Sequence, residues 1–278
     1  MTDPLPQSPV LSQKGISLEM DGVFNVRSFG GYPCNLRPNC STRNGLIYRS
    51  GHLKDITSQG MKQICNLGIS AIIDLTNSGE TKTLFTGTSS LSQCRVLNFP
   101  LAKHEFSVQQ LVDKYKRYLA EGEKAIAEGY FKLLIEGHQV IRDILFLIRD
   151  NPNGVFLIHC AMGKDRTGVV FAVLLSLAGV SDDAIADEYS RSELALAAAL
   201  PEIAAAIKNA MPTVTDAEAL GRAKIVIQTR KEAMLLMLQM VVERFGGMVR
   251  YLKDCCGVGE EDIELLQDLL TSTTKSTK

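Results

Sequence analysis

One ten-residue segment carries the side chains that nucleophilic chemistry on an anion requires. Residues 159–168 read His-Cys-Ala-Met-Gly-Lys-Asp-Arg-Thr-Gly, which sets Cys160 and Arg166 in a C-x5-R spacing. Nearby positive charge favours the thiolate form of a cysteine, which is the nucleophilic form. An arginine side chain can donate two parallel hydrogen bonds to an oxyanion. The segment therefore predicts an anion site with a sulfur nucleophile.

The neighbouring residues predict the elements that hold this segment. The apolar run Val155 to Ile158 follows the turn sequence Asn-Pro-Asn-Gly and predicts a central strand, and the almost wholly apolar stretch from Thr167 to Leu177 predicts a buried helix. Loop amides and the helix dipole at such a junction point at a bound anion. The predicted phosphate-binding residues are Ala161, Met162, Gly163, Lys164, Asp165 and Arg166. Attack of Cys160 on phosphorus would form a phosphocysteine, which water would then hydrolyse.

The rest of the chain predicts an α/β fold, with a central, mostly parallel sheet flanked by helices. An Ile-rich strand is expected from Ile69 to Leu75, and amphipathic helices follow, of which about 103–130 would form a helical lid. No repeat or linker divides the chain. We expect a flexible arm over 1–19, one domain over 20–270 and a disordered tail over 271–278.

Composition excludes several other classes of protein. The net charge of -1 argues against nucleic-acid binding. Seven cysteines, an odd number without a CxxC pair, predict neither a disulfide framework nor a zinc site. The longest apolar run, 168–180, is too short for a membrane span, and no secretory signal is visible at the start. We therefore expect a cytoplasmic protein with no integral membrane segment, metal or cofactor, and its oligomeric state stays open.

The loop resembles that of the protein tyrosine phosphatase superfamily, specifically the atypical branch of bacteria and fungi whose loop reads HCxxGKDRTG. Residues 25–32 resemble the branch's FRDxGGY element and 46–51 its LYRSG element, while 72–75 with Glu80 resemble VIDLRxxxE. The resemblance covers roughly 20–270 and implies the cysteine phosphatase fold. Two positions depart from the pattern, because Ser28 replaces an Asp and Thr76 replaces an Arg.

The resemblance also implies roles for individual residues. Cys160 would be the nucleophile, Arg166 would bind phosphate, and Thr167 would donate a hydrogen bond to the sulfur. His159 would orient the loop. The proton for the leaving oxygen would come from a carboxyl group, and two candidates stay open: Asp165 in the loop and Asp74 at a strand end.

The implied substrates are phosphorylated proteins, phosphotyrosine proteins above all. Lys164 occupies a position that is also lysine in the tensin-type inositol-lipid phosphatases, so phosphoinositides are a further expectation, with the ammonium at the pocket floor. A phosphate-binding module without turnover and a sulfurtransferase are the alternatives. Arg49 is expected to pair with a carboxylate under the loop, and Tyr130 to pack in the lid.

Overall fold

Four parallel strands form the centre of the structure. The structure is a computed structural model that describes residues 14–77, 94–102 and 108–273, with no description of the side chains of 108–113. The strands are β1 Arg27–Ser28, β2 Pro33–Cys34, β3 Cys40–Thr42, β4 Ile47–Ser50, β5 Ala71–Asp74, β6 Arg95–Asn98, β7 Phe156–His159 and β8 Thr271–Thr273. The central sheet has the order β1-β4-β7-β5-β6, in which β1 alone runs antiparallel to its neighbour. A smaller antiparallel sheet has the order β2-β3-β8.

Helices flank this sheet and form the C-terminal half of the chain. Their bounds are α1 Ser58–Asn66, α2 Val108–Glu121, α3 Glu123–Glu136, α4 His138–Asp150, α5 Asp165–Leu177, α6 Asp182–Ala195, α7 Leu200–Ala210, α8 Asp216–Ile227, α9 Lys231–Phe245, α10 Met248–Asp254 and α11 Glu260–Leu270. Helix α5 is packed against four others, α3, α6, α10 and α11. It is buried almost all round, as its apolar sequence predicts.

The carboxyl ends of three strands meet at one edge of the central sheet. In the register of the sheet, His159 of β7 lies between Ser50 of β4 and Asp74 of β5. All three side chains are buried. Ligand sites of parallel sheets form at this edge, and here the chain passes from β7 into the segment that begins with Cys160.

The observed architecture confirms the predicted mixed α/β fold with a mostly parallel sheet. Two segments differ from the expected boundaries. Residues 14–19, expected in the arm, run beside β1 through backbone hydrogen bonds such as Leu18 N–H to Val26 O at 3.0 Å. Thr271–Thr273, expected in the tail, instead forms β8 against β3, because backbone pairing there does not depend on an apolar pattern.

Some of the expectations fall on residues that the structure does not describe. These are the arm over 1–13, Glu80, the start of the expected lid at 103–107, and the tail over 274–278. Within the described ranges, none of the helices combines the length and apolar character required to cross a bilayer.

Candidate active site

The loop after β7 joins a buried strand to a buried helix over a very short distance. Cys160 follows β7 directly, and α5 begins at Asp165. Gly163 has a φ of 62°, and a Cβ at this position would lie 2.1 Å from the backbone oxygen of Ser50. Only glycine fits there. The Cys160 residue is buried, with 3% of its surface exposed.

Two side chains from the N-terminal part of the chain, one just before β1 and one in β4, hold carbonyl groups of the loop. The amide of Asn25 donates to the carbonyl oxygens of Met162 and Gly163, both at 3.0 Å. Arg49 Nη2 donates to the Gly163 oxygen at 2.5 Å. In a trans peptide the C=O and the following N–H point in opposite directions. The N–H groups of Gly163 and Lys164 therefore point away from Asn25 and Arg49.

A buried ion-pair network supports these anchors. Glu188 of α6 accepts from Arg27 Nε at 2.7 Å and from Arg49 Nη1 at 2.5 Å, and all three side chains are at most 2% exposed. Arg27 also donates to the side-chain oxygens of Asn25 and Ser192. Burial alone would raise the pKa of Glu188, but the charges of Arg27 and Arg49 outweigh burial and hold the pKa below its usual value. Burial lowers the pKa of Arg49 to about 10, so Arg49 stays charged at neutral pH.

Asp165, in the first turn of α5, is held from two sides through the same oxygen. Its Oδ1 accepts a hydrogen bond from the hydroxyl of Tyr130 and lies 3.8 Å from Lys164 Nζ. Burial would raise the pKa of Asp165, but the charges of Lys164 and Lys114 and the Tyr130 hydrogen bond outweigh burial, and the net pKa is lowered. Arg166, the next residue, adds its positive charge in the same direction.

Lys164, expected with its ammonium at the pocket floor, lines a cavity beside Asp165 and reaches helix α8. Its Nζ donates to the backbone oxygens of Val226 at 2.5 Å and Gln228 at 3.1 Å, at the end of α8. Carbonyl groups at a helix C-terminus carry partial negative charge and attract a cation. Lys164 thus links the loop to α8, and burial lowers its pKa.

Comparison with known proteins fits this geometry. The sequence matches the model of the tyrosine phosphatase family over residues 18–272. The chain belongs to this family. The family assignment makes the protein a tyrosine phosphatase-like hydrolase, and it confirms the resemblance stated from the loop sequence.

The chain is also similar to individual proteins. The triple specificity protein phosphatase PtpB of Mycobacterium tuberculosis is 24% identical over 280 residues, 91% of this chain and 98% of the relative. A tyrosine-protein phosphatase of Nostoc commune is 34% identical over 68 residues, 24% of this chain and 23% of the relative. The core catalytic domain of the PP-IP phosphatase SIW14 from S. cerevisiae, solved with citrate, is 17% identical, with coverage of 69% and 87% and a TM-score of 0.32.

The second carboxyl candidate of the phosphatase, Asp74, is fully buried and braced. Its Oδ1 accepts from the N–H of Thr76 at 2.9 Å and from the Thr76 hydroxyl at 2.6 Å, and it lies 3.9 Å from His159 Nδ1. Burial lowers the pKa of His159, so its ring is neutral near pH 7 and adds no charge to the loop. Thr76, which replaces an Arg of the branch pattern, therefore serves as a brace for Asp74.

The structure does not contain the expected hydrogen bond from Thr167 to the sulfur. Thr167 Oγ1 is buried and has no hydrogen-bond partner in the described ranges. Ser28, the other departure from the branch pattern, accepts from the N–H of Ile16 at 3.1 Å and so ties down the N-terminal segment. Arg166 is partly exposed, and its charge lowers the pKa of both Asp165 and His159.

Two helical covers lie over the loop, and the sequence identified only one of them as a cover. A cavity beside Asp165 is lined by tyrosines of the expected lid helices, Tyr115 and Tyr118 of α2 and Tyr130 of α3. The second cover is the hairpin of α7 and α8, which packs on Met162 of the loop. Its Thr215 capping box marks a helix start, but no local pattern shows where that helix docks.

One group of residues at the rim could offer ligands to a metal ion. Potential ligand atoms of His52, Asp55 and Glu202 lie within 4.8 Å of one another, with His52 Nε2 3.4 Å from Glu202 Oε1. A metal on Nε2 would require a proton on Nδ1, which is buried without a partner among the described residues. The surroundings of Nδ1 therefore do not favour a metal on Nε2.

Sequence reasoning missed several residues that shape the site. Arg49 pairs with a carboxylate, as expected. That carboxylate belongs to Glu188, which is distant from Arg49 in the sequence and has no recognisable motif around it. Asn25 was noted only as the first residue of a resembling segment. Tyr130 does pack in the lid region, yet its hydroxyl also contacts Asp165.

Proposed function

We propose that the protein is a cysteine-dependent phosphomonoesterase that acts through a phosphocysteine intermediate on Cys160. The observation that carries the proposal is the loop at the N-terminus of α5, in which Asn25 and Arg49 hold carbonyl groups so that the following N–H groups point away from these two side chains. Oriented N–H groups and a guanidinium match the three equatorial oxygens of a phosphoryl group. Single-domain organisation over 20–270, with 103–130 as a lid, is part of the same proposal.

In the first step the Cys160 thiolate attacks phosphorus as the ester oxygen departs. An S–P bond forms, the P–O bond to the leaving group breaks, and Arg166 with the loop amides stabilises the charge on the equatorial oxygens. Asp165 gives its proton to the leaving oxygen. A bound phosphate dianion opposes the ionisation of Asp165, so its lowered pKa in the free protein rises in the substrate complex.

In the second step water attacks the phosphocysteine. Asp165, now ionised, accepts a proton from the water, the S–P bond breaks, and Cys160 leaves as a thiolate. The Thr167 hydroxyl, which has no partner among the described residues, would have to turn toward the departing sulfur to stabilise it. Asp74 keeps a bracing role, because its Oδ1 already accepts two hydrogen bonds from Thr76.

Phosphotyrosine proteins are the proposed main substrates, supported by the family and by the relative named a triple specificity phosphatase. Phosphoinositides are included because of Lys164. The Lys164 ammonium would have to leave the carbonyls of Val226 and Gln228 before it could bind a headgroup phosphate. Phosphoinositide binding would therefore loosen the α7–α8 hairpin.

The test is phosphate release from phosphotyrosine peptides, phosphoserine peptides and phosphoinositides, in buffer with a metal chelator. We expect turnover in the wild type, inhibition by vanadate and no turnover in Cys160→Ser. Cys65→Ser is the control, because this thiol is exposed on α1. Turnover that survives in Cys160→Ser, or that requires added metal, would contradict the proposal.

A further inference from the structure

Two buried tyrosines form a hydrogen-bonded chain that ends on Asp165. Tyr130 of α3 and Tyr189 of α6 are each 1% exposed, and their hydroxyl oxygens are 2.7 Å apart. Their rings meet edge to face with centroids 5.7 Å apart. The Tyr130 hydroxyl also contacts Asp165 Oδ1. The two phenols come from different helices, so packing on both sides fixes their position.

The direction of this chain follows from counting protons. A phenol has one proton to donate, and an ionised carboxylate has none. Tyr130 must therefore donate to Asp165, and the bond between the two hydroxyls must use the proton of Tyr189. Burial raises the pKa of both tyrosines well above the usual value, so both keep their protons throughout the working pH range.

The hydrogen-bonded chain also distinguishes the two oxygens of the Asp165 carboxyl group. Tyr130 and Lys164 both address Oδ1. A proton taken up by Asp165 is then carried on Oδ2. We propose that Tyr130 is a positioning residue, which holds Oδ1 and so presents Oδ2 of Asp165 as the oxygen that transfers the proton. The inference rests on the proposed function, and Tyr189 acts through Tyr130.

The first test is the pH profile of kcat in Tyr130→Phe. Loss of a hydrogen bond to the ionised carboxylate raises the pKa of Asp165, so the alkaline limb of the profile should move to higher pH. A misplaced general acid lowers the cleavage rate most for substrates with poor leaving groups, because these need the proton most. We expect kcat for phenyl phosphate to fall about tenfold, with a smaller loss for p-nitrophenyl phosphate and little change in KM. Tyr189→Phe should cause a smaller change in the same direction.

These variants do not alter the other titratable groups around the carboxyl, which are Lys114, Tyr115, Tyr118, Lys164, Arg166 and, in the lining of the same cavity, Arg230. The matched control is Tyr251→Phe, which removes a buried hydroxyl that donates to the Leu134 oxygen of α3 at 2.6 Å, away from Asp165. An unmoved alkaline limb in Tyr130→Phe, or an equal movement in Tyr251→Phe, would overturn the inference.

A second readout does not depend on turnover. Carboxyl carbon NMR of Asp165 in Cys160→Ser protein should titrate at higher pH when Tyr130→Phe is added. If the wild type hydrolyses no phosphate ester, the proposed function fails, while this titration still decides whether Tyr130 holds Asp165. A titration that Tyr130→Phe leaves unchanged would overturn the positioning role even in an active enzyme.

Discussion

Glu188→Gln is the substitution that most directly tests the network beneath the loop. The single carboxylate of Glu188 pairs with two buried guanidinium groups, those of Arg27 and Arg49, at 2.7 and 2.5 Å. Gln keeps the shape and one acceptor oxygen but removes the charge. Both arginines then remain buried without a counter-charge, and Arg49 is one of the two side chains that hold the loop carbonyls.

The expected cost follows from general measurements on buried ion pairs. Removing one partner of such a pair destabilises a protein by about 3–5 kcal/mol. We take the lower value, about 3 kcal/mol, because Gln can still accept one hydrogen bond. With an unfolding entropy of about 2.1 cal/mol/K per residue, a chain of 278 residues would lose about 5 °C in Tm.

The assay is urea unfolding together with vanadate affinity at 25 °C. Asp268→Asn is the control, because its pair with Arg37 is about half exposed, and surface pairs contribute little to stability. The folded-state pKa of Glu188 is lowered, so its stabilisation is present above the unfolded pKa of about 4.3 and is lost as pH falls through the folded pKa. The difference between wild type and Glu188→Gln should therefore shrink in acid. Equal losses in Glu188→Gln and Asp268→Asn would refute the role given to the network.

Three further predictions concern the loop itself. Gly163→Ala should abolish vanadate binding, measured by calorimetry, because its Cβ would meet the Ser50 oxygen at 2.1 Å, whereas Gly45→Ala, with the same sign of φ but open space, should bind normally. Asn25→Ala should weaken vanadate binding about tenfold through loss of two carbonyl contacts, and unchanged affinity would count against the anchor. Lys164→Met should speed amide exchange in α8 relative to α11, as seen by mass spectrometry, since it removes the bonds to Val226 and Gln228; equal exchange would disprove the link.

The sequence predicted the elements that carry their own local pattern. The apolar run that became β7 and the apolar stretch that became α5 needed no tertiary information, because burial on all sides requires such residues. The loop between them could also be predicted, because the residues of its motif are contiguous in the sequence.

The remaining features depend on contacts between distant parts of the chain. Glu188 lies 161 residues from Arg27, and a single Glu in a helix is ordinarily a solvated residue. Lys164 was expected to face the anion, but the carbonyls at the end of α8 compete for its charge, and no local pattern indicates that α8 ends there. The apolar pattern predicted Tyr130 to be a packing residue. The contact of its hydroxyl with Asp165 could not be predicted, because such a pattern does not show where a hydroxyl points.

The most direct measurement of the central claim is rapid-quench labelling with a 32P-labelled aryl phosphate, followed by peptide mapping. The mechanism predicts acid-quenched protein that carries the label on Cys160, at a level that rises within the first turnover and disappears as substrate is exhausted. With an aryl leaving group that departs without an acid, Asp165→Asn, in which the second step lacks its base, should accumulate more label. Turnover without a labelled Cys160, or label on another residue, would contradict the mechanism.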